Sequence, residues 1–175
     1  MAVTLSFVLM LPTALDWFVY ALPFLAGFLT MFCVIELGKS WAFGAYAATA
    51  LLSVLFLPNK EAAVMYAAFF GYYPIIKALL EGSRIPRAVE YIAKIAVFNA
   101  AMITSYFLLT KLLGLSFNAM MGIAGDAAWA KYAVPIFLGI GNVFFLIMDI
   151  GMTLNATVYL RRLQPKLHKM LRFKP

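Results

Sequence analysis

Long apolar runs separated by short polar clusters set the pattern of this chain. Six runs stand out, at about 2–15, 17–37, 41–57, 61–80, 88–112 and 133–160. They are continuously apolar, as in VLFLP or AVFNAAMI, without the alternation that a barrel strand shows over about ten residues. A backbone in lipid must satisfy its own polar groups, so continuous runs read as helices. A hydrocarbon core of about 30 Å takes roughly 20 helical residues to cross. The pattern predicts an all-α, polytopic transmembrane bundle of six helices over residues 1–162, followed by a basic amphipathic tail over 163–175. The first run is the short one: about 14 helical residues reach about 21 Å. It holds Pro12 and lacks the basic start of a secretory signal. If it does not cross, five spans remain and the N-terminus lies outside.

The punctuation between runs predicts local structure. Gly38 suits the end of the second helix, and Asn59 suits the N-cap of the fourth. Gly71 and Pro74 predict a bend within the fourth run, since proline removes a backbone hydrogen bond. Gly44 and Ala48 form a small-xxx-small pair that predicts a central, closely packed third helix. The stretch Gly114–Lys131 is too apolar for a solvated loop and predicts a cap or re-entrant segment over the outer face. In the tail, Leu163, Leu167, Met170 and Leu171 share one face opposite basic residues, the pattern of an interfacial helix.

Composition narrows the class further. With 65% hydrophobic and 12% charged residues, the 19.4 kDa chain has little left for a soluble domain. The formal charge of +7 reads as membrane topology rather than nucleic-acid binding. With six spans and the N-terminus inside, Lys39, Lys77, Arg84, Arg87 and the tail cations fall on the cytoplasmic side, while Lys60, Lys111 and Lys131 fall outside. That asymmetry follows the positive-inside rule and puts the C-terminus in the cytoplasm of a multi-pass membrane protein. Cys33 stands alone, so no intrachain disulfide forms, and it reads as packing. His168 is the single histidine and lies in the tail, which leaves no histidine-based metal site. No cofactor is expected.

Charged groups within spans are costly, about 2.5–3.5 kcal/mol each on insertion scales. Asp149 lies about 18 Å in from Arg161, and Lys94 about 10 Å in from Arg87. The length of a lysine side chain narrows that gap, so the two are expected to form a buried pair. Asn142, Asp149 and Thr153 share a helix face, and Asn99 is placed to join them. Structural glue, a ligand- or partner-coupling element, and a proton or ion relay are the three readings of this group. Lys77, near the inner boundary, reads as a topological residue that snorkels. Motifs for metalloproteases, Ser/His or Cys/His nucleophiles and phosphate loops are missing, so the chain does not read as an enzyme.

FFGYYPIIKALLE at 69–81, YIAKIAVFNAA at 91–101 and FLIMDIGMTLNATVYLRRLQPKL at 145–167, with the length, inside termini and lack of a soluble domain, give a chain that resembles the substrate-binding S components of bacterial energy-coupling factor transporters. The resemblance implies capture of a small, vitamin-like solute from outside, with a transmembrane coupling subunit and ATPases as partners. It implies a pocket between the fourth, fifth and sixth helices, roofed by the first hairpin loop and the 114–131 segment. It also implies a small-residue docking patch on the first helix, for which Ala2–Ser6 is the nearest match. Tyr72, Tyr73, Asn99, Asp126, Trp129 and Asn142 are the candidate substrate-binding residues. A membrane scaffold without a ligand and a standalone ion-coupled carrier using Asp149 and Lys94 are the alternatives.

Overall fold

The computed structural model describes residues 1–16, 18–112, 114 and 133–165, and among these there is no strand. Helix α1 spans Ala2–Met10 and tightens into a 3-10 turn over Leu11–Leu15, where Pro12 sits in the first turn. Helix α2 spans Ala21–Leu37 and α3 spans Lys39–Phe56. Gly38 alone separates them at φ 89°, a left-handed conformation that glycine adopts without Cβ strain. Helix α4 runs over Lys60–Glu81 and α5 over Arg87–Lys111. Helix α6 spans Ala133–Val158 and widens into a π turn over Tyr159–Leu163.

The expected N-cap is present: Asn59 Oδ1 accepts the Ala62 N–H at 2.9 Å. The expected bend in α4 is also present. The helix widens to π geometry over Tyr66–Phe70, with the Gly71 N–H donating to Tyr66 O at 2.8 Å, and a new α turn starts at Tyr73 with Pro74 in its first turn. Proline fits there because a first-turn N–H has no intrahelical partner to lose. Gly71 is required at this point: a Cβ would lie 2.6 Å from the Tyr46 ring and 2.8 Å from the Tyr66 ring. Tyr46 crosses the gap so formed and donates its hydroxyl to Ala67 O at 2.6 Å.

Helix α4 is the centre of the bundle. Of the three long helices it is the most enclosed, with 56% of its most apolar window buried against 33% for α5 and 22% for α6. Tyr66, Phe69, Phe70 and Tyr73 supply much of the core and meet Phe98 from α5 and Phe145 from α6. The expectation of a central α3 closing through Gly44 and Ala48 is therefore corrected. Both residues are exposed, and a Cβ on Gly44 would meet nothing within 4 Å. Small residues permit close approach but do not cause it. Helix α3 instead turns Ala42, Thr49 and Ser53 inward. The close approach occurs between α2 and α4, at Gly27 against Phe70.

Among the described residues, three helices are long and apolar enough to cross a membrane: α4, α5 and the Pro135–Arg162 stretch of α6. The Ala2–Leu15 and Ala21–Leu37 segments are shorter apolar helices, and α3 has 18 residues. At about 1.5 Å per residue, α2 and α3 reach about 26–27 Å.

Hydrogen bonds sort the connections to two ends of the bundle. At one end Asn59 Nδ2 donates to Asp16 Oδ1 at 2.8 Å, and the Tyr20 hydroxyl donates to Glu61. At the opposite end Glu36 accepts from the Tyr159 hydroxyl at 2.8 Å and from Gln164 Nε2 at 3.2 Å, which ties α6 to α2. Lys39, Arg84, Arg87, Arg161 and Arg162 gather at this second end. The tail from residue 166, including the expected interfacial helix, lies outside the described residues, as do Asp126 and Trp129.

Candidate functional site

Below the bend, α4 presents Tyr73, Lys77 and Glu81 at intervals of four, on one face of the helix. Helix α5 presents Glu90 and Lys94 with the same spacing, and α6 contributes Asp149. The antiparallel course of the three helices brings these groups into one buried cluster. Lys77 Nζ lies 2.5 Å from Asp149 Oδ1 and 2.7 Å from Glu81 Oε1. Lys94 Nζ lies 2.7 Å from Glu90 Oε1, 2.8 Å from Glu81 Oε1 and 3.3 Å from Asp149 Oδ2. The Tyr73 hydroxyl donates to Asp149 Oδ1 at 2.5 Å. Lys94 and Asp149 are thus in the contact expected of them, and Tyr73 joins them.

The sequence reading of Lys77 is corrected here. Its side chain is only 6% exposed, and it approaches Asp149 Oδ1 as closely as the Tyr73 hydroxyl does. A turn of α4 aims it inward at the carboxylate rather than along the helix toward water. Glu81 and Glu90 were not expected as partners either. The signal was available in the two i,i+4 pairs, Lys77–Glu81 and Glu90–Lys94, facing each other across a short loop.

Charge bookkeeping characterises the site. Two ammonium groups (Lys77, Lys94) meet three carboxylates (Glu81, Glu90, Asp149), so the cluster carries a formal charge of −1. Lys94 is its hub, touching all three acids. The excess charge has a way out: the Glu81 side chain is 38% exposed, against 2% for Lys94 and 3% for Asp149. Ions deep in protein are tolerated when paired and hydrogen-bonded, and Asp149 meets both conditions.

About two turns farther along, Asn99 and Asn142 form a reciprocal amide pair at 2.9 and 3.1 Å. Each also donates back within its own helix, Asn99 to Ile95 O at 2.9 Å and Asn142 to Leu138 O at 2.7 Å. An amide NH2 has two donors, so both asparagines use all of theirs within the protein. Tyr72 is set apart from the other candidates, with its ring 5.9 Å from that of Tyr46 on α3.

A cavity of about 280 Å³ lies between α4, α5 and α6, next to the cluster, with Tyr20 reaching it from the turn before α2. Its walls are mostly Phe and Met side chains, with Leu138, Ile140 and Gly141 from α6 and Tyr20 near the Glu61 end, and none of Tyr72, Tyr73, Asn99 and Asn142 lines it. Phe98 and Phe145 stack there with centroids 4.8 Å apart, and Phe69 meets Phe98 edge-on at 5.3 Å. Phe69 and Phe145 also pack on Tyr73, at 5.0 and 5.2 Å. The Tyr73 ring thus links the apolar cavity to the charged cluster. Among the described residues, no three His, Cys, Asp or Glu side chains form a possible metal site.

No protein family, curated protein or solved structure matches this chain.

Proposed function

We propose that this chain is a multi-pass membrane protein with a cytoplasmic C-terminus, and that it acts as the substrate-capture subunit of an energy-coupling factor type transporter for a small solute. Inverted polarity supports the membrane reading. The Lys77, Lys94 and Asp149 side chains are buried, while Ile92, Ile140 and Ile147 stand outward at 64–67% exposure. Such a surface suits lipid, not water. The basic groups collected at one end then mark the cytoplasmic side.

The cavity is the observation that carries the capture reading. Solute sites are concave and mostly apolar, and usually span about 300–1,000 Å³. At about 280 Å³ this one lies just below the small end of that range. It lies toward the end opposite the basic groups, where a solute from outside would arrive. The partners are a transmembrane coupling subunit and ATPases, and the solute is a small organic molecule.

Affinity purification of the intact protein from its native membrane tests this. The expected result is copurification of an ATP-hydrolysing module and a retained small molecule, seen by mass spectrometry of the denatured sample. A preparation with neither favours the ligand-free scaffold.

The orientation has its own test. In a Cys33→Ser background, a cysteine at Lys60 should react with an impermeant maleimide on intact cells. One at Arg84 should react only after permeabilisation. Labelling of the Arg84 position in intact cells would reverse the topology.

The charged cluster favours a second reading, an ion-coupled carrier using Asp149 and Lys94. Its net charge and its half-exposed Glu81 are the features a coupling site needs. Proteoliposomes holding only this chain should then take up solute in response to a pH gradient without ATP. Uptake that requires the ATPases returns the assignment to the capture subunit.

A further inference from the structure

Ser105, on α5, is 2% exposed, and its hydroxyl has no hydrogen-bond partner. A buried serine in a helix ordinarily donates to a carbonyl one turn back, as Thr104 does to Ala100 O at 2.8 Å. Leaving a buried hydroxyl unpaired costs about 1–3 kcal/mol. Ser105 borders a space of about 40 Å³ whose walls include Met65, Met102 and Phe137. Those three side chains also wall the large cavity. The unpaired hydroxyl is therefore separated from that cavity only by side chains the two spaces share, two of them methionines, which change rotamer readily.

We infer that the cavity takes a neutral, ring-bearing lipophilic molecule with one hydrogen-bonding substituent, which the Ser105 hydroxyl receives. This deepens the capture reading and rests on it. The walls exclude charge, because an ion placed among Phe and Met side chains loses its hydration with no compensating partner. The hydroxyl on the wall, that of Tyr20, is already given to Glu61. The stacked and edge-on phenyl rings favour a ring in the guest, since aromatic groups pack best in offset or edge geometry.

Size agrees with this class. A cavity of about 150 Å³ holds one benzene, so 280 Å³ suits a fused two-ring body. The route of access follows from the rim. Ile140 and Phe144 line the cavity and are 67% and 57% exposed. They belong to the outward apolar face of α6 that continues through Val143 and Ile147. The opening therefore faces the bilayer, so a guest arriving from outside enters the cavity by way of the lipid.

The test uses the full chain in phosphatidylcholine vesicles and a diazirine derivative of 2-naphthol as the probe. Crosslinks should map to Met102 and Met148. At equal membrane concentration, 2-naphthol should displace the probe, naphthalene should do so about tenfold less well, a difference of about 1.4 kcal/mol, and 2-naphthalenesulfonate should not compete. Ser105→Ala should bring 2-naphthol down to the level of naphthalene. The same variant should melt no lower than the unaltered protein, because it removes an unpaired polar atom. Competition by the sulfonate, or a preference for naphthol that survives Ser105→Ala, overturns the assigned class while leaving capture as such in place. Labelling of the same methionines by a diazirine acyl phospholipid that naphthol cannot displace makes the cavity a lipid site, which also overturns it. Specific naphthol labelling without copurifying ATPases leaves this class standing and removes the transporter assignment. The competition on the unaltered protein does not depend on any variant folding.

Discussion

Lys94→Met is expected to be the most damaging single change in the charged cluster. It leaves Lys77, which touches Glu81 and Asp149, as the cation of the cluster and Glu90 without its lysine, and the formal charge of the cluster falls from −1 to −2. Removing one partner of a buried ion pair typically costs about 3–5 kcal/mol, because the other charges lose compensation. Asp149→Asn should cost less, about 1–3 kcal/mol. It neutralises the cluster and keeps an oxygen to accept from Tyr73 and Lys77. The double variant Lys94→Met/Asp149→Asn returns the charge to −1 and should be more stable than Lys94→Met alone. A coupling of about 0.5–3 kcal/mol is expected for groups in one network. Thermal unfolding in detergent, followed by intrinsic fluorescence, measures all three. Strict additivity would show that Lys94 and Asp149 do not share the network, and a Lys94→Met variant as stable as Asp149→Asn would remove Lys94 as the hub.

Gly27→Val is expected to break the packing of α2 on α4. A Cβ at Gly27 would stand 2.5 Å from the carbonyl oxygen of Phe70. That oxygen is backbone in the π turn and has no rotamer through which to yield. Overpacking costs about 1–3 kcal/mol where neighbours adjust, and more where they cannot. The expected result is loss of monodisperse protein in detergent, or a melting point far below the parent's. Gly44→Ala is the control. Its Cβ would meet open space, and alanine is the better helix former by about 1 kcal/mol. It should match or exceed the parent. Equal behaviour of the two variants would mean that the α2–α4 contact is not where the bundle is tightest.

The two cases show which parts of the molecule could be read in advance. The bend in α4 followed from Gly71 and Pro74, and the cap on α4 from Asn59, because both depend on residues within a turn of one another. The meeting of Lys94 with Asp149 was legible for a related reason. Ionisable groups are rare in apolar runs, and counting 1.5 Å per residue from the helix ends put them about 8 Å apart in depth, a gap that the length of a lysine side chain narrows. Lys77 escaped because the same count placed it near the boundary, where a lysine reaches either water or a buried acid with equal ease. Ser105 gave no signal at all, since one serine in an apolar run ordinarily bonds to its own helix.

Sequence alone determined that the described chain is helical, where most of its helices start and stop, where α4 breaks, and that Lys94 and Asp149 lie deep. Those properties are local or one-dimensional: run length, capping, proline chemistry and depth along an axis. Tertiary structure alone decided which face of each helix turns inward. It turned Gly44 and Ala48 outward and Gly27 inward, made α4 the centre, and left a cavity walled mostly by Phe and Met that shares side chains with the space bordered by the unpaired Ser105. The physical reason lies in the composition. In a soluble protein the polar stripe of a helix marks its outer face. Here the outer faces of α5 and α6 are as apolar as the core, so the helical period carries little contrast. Side-chain shape and the few buried polar groups then fix the rotation of each helix, and they act only once the helices meet.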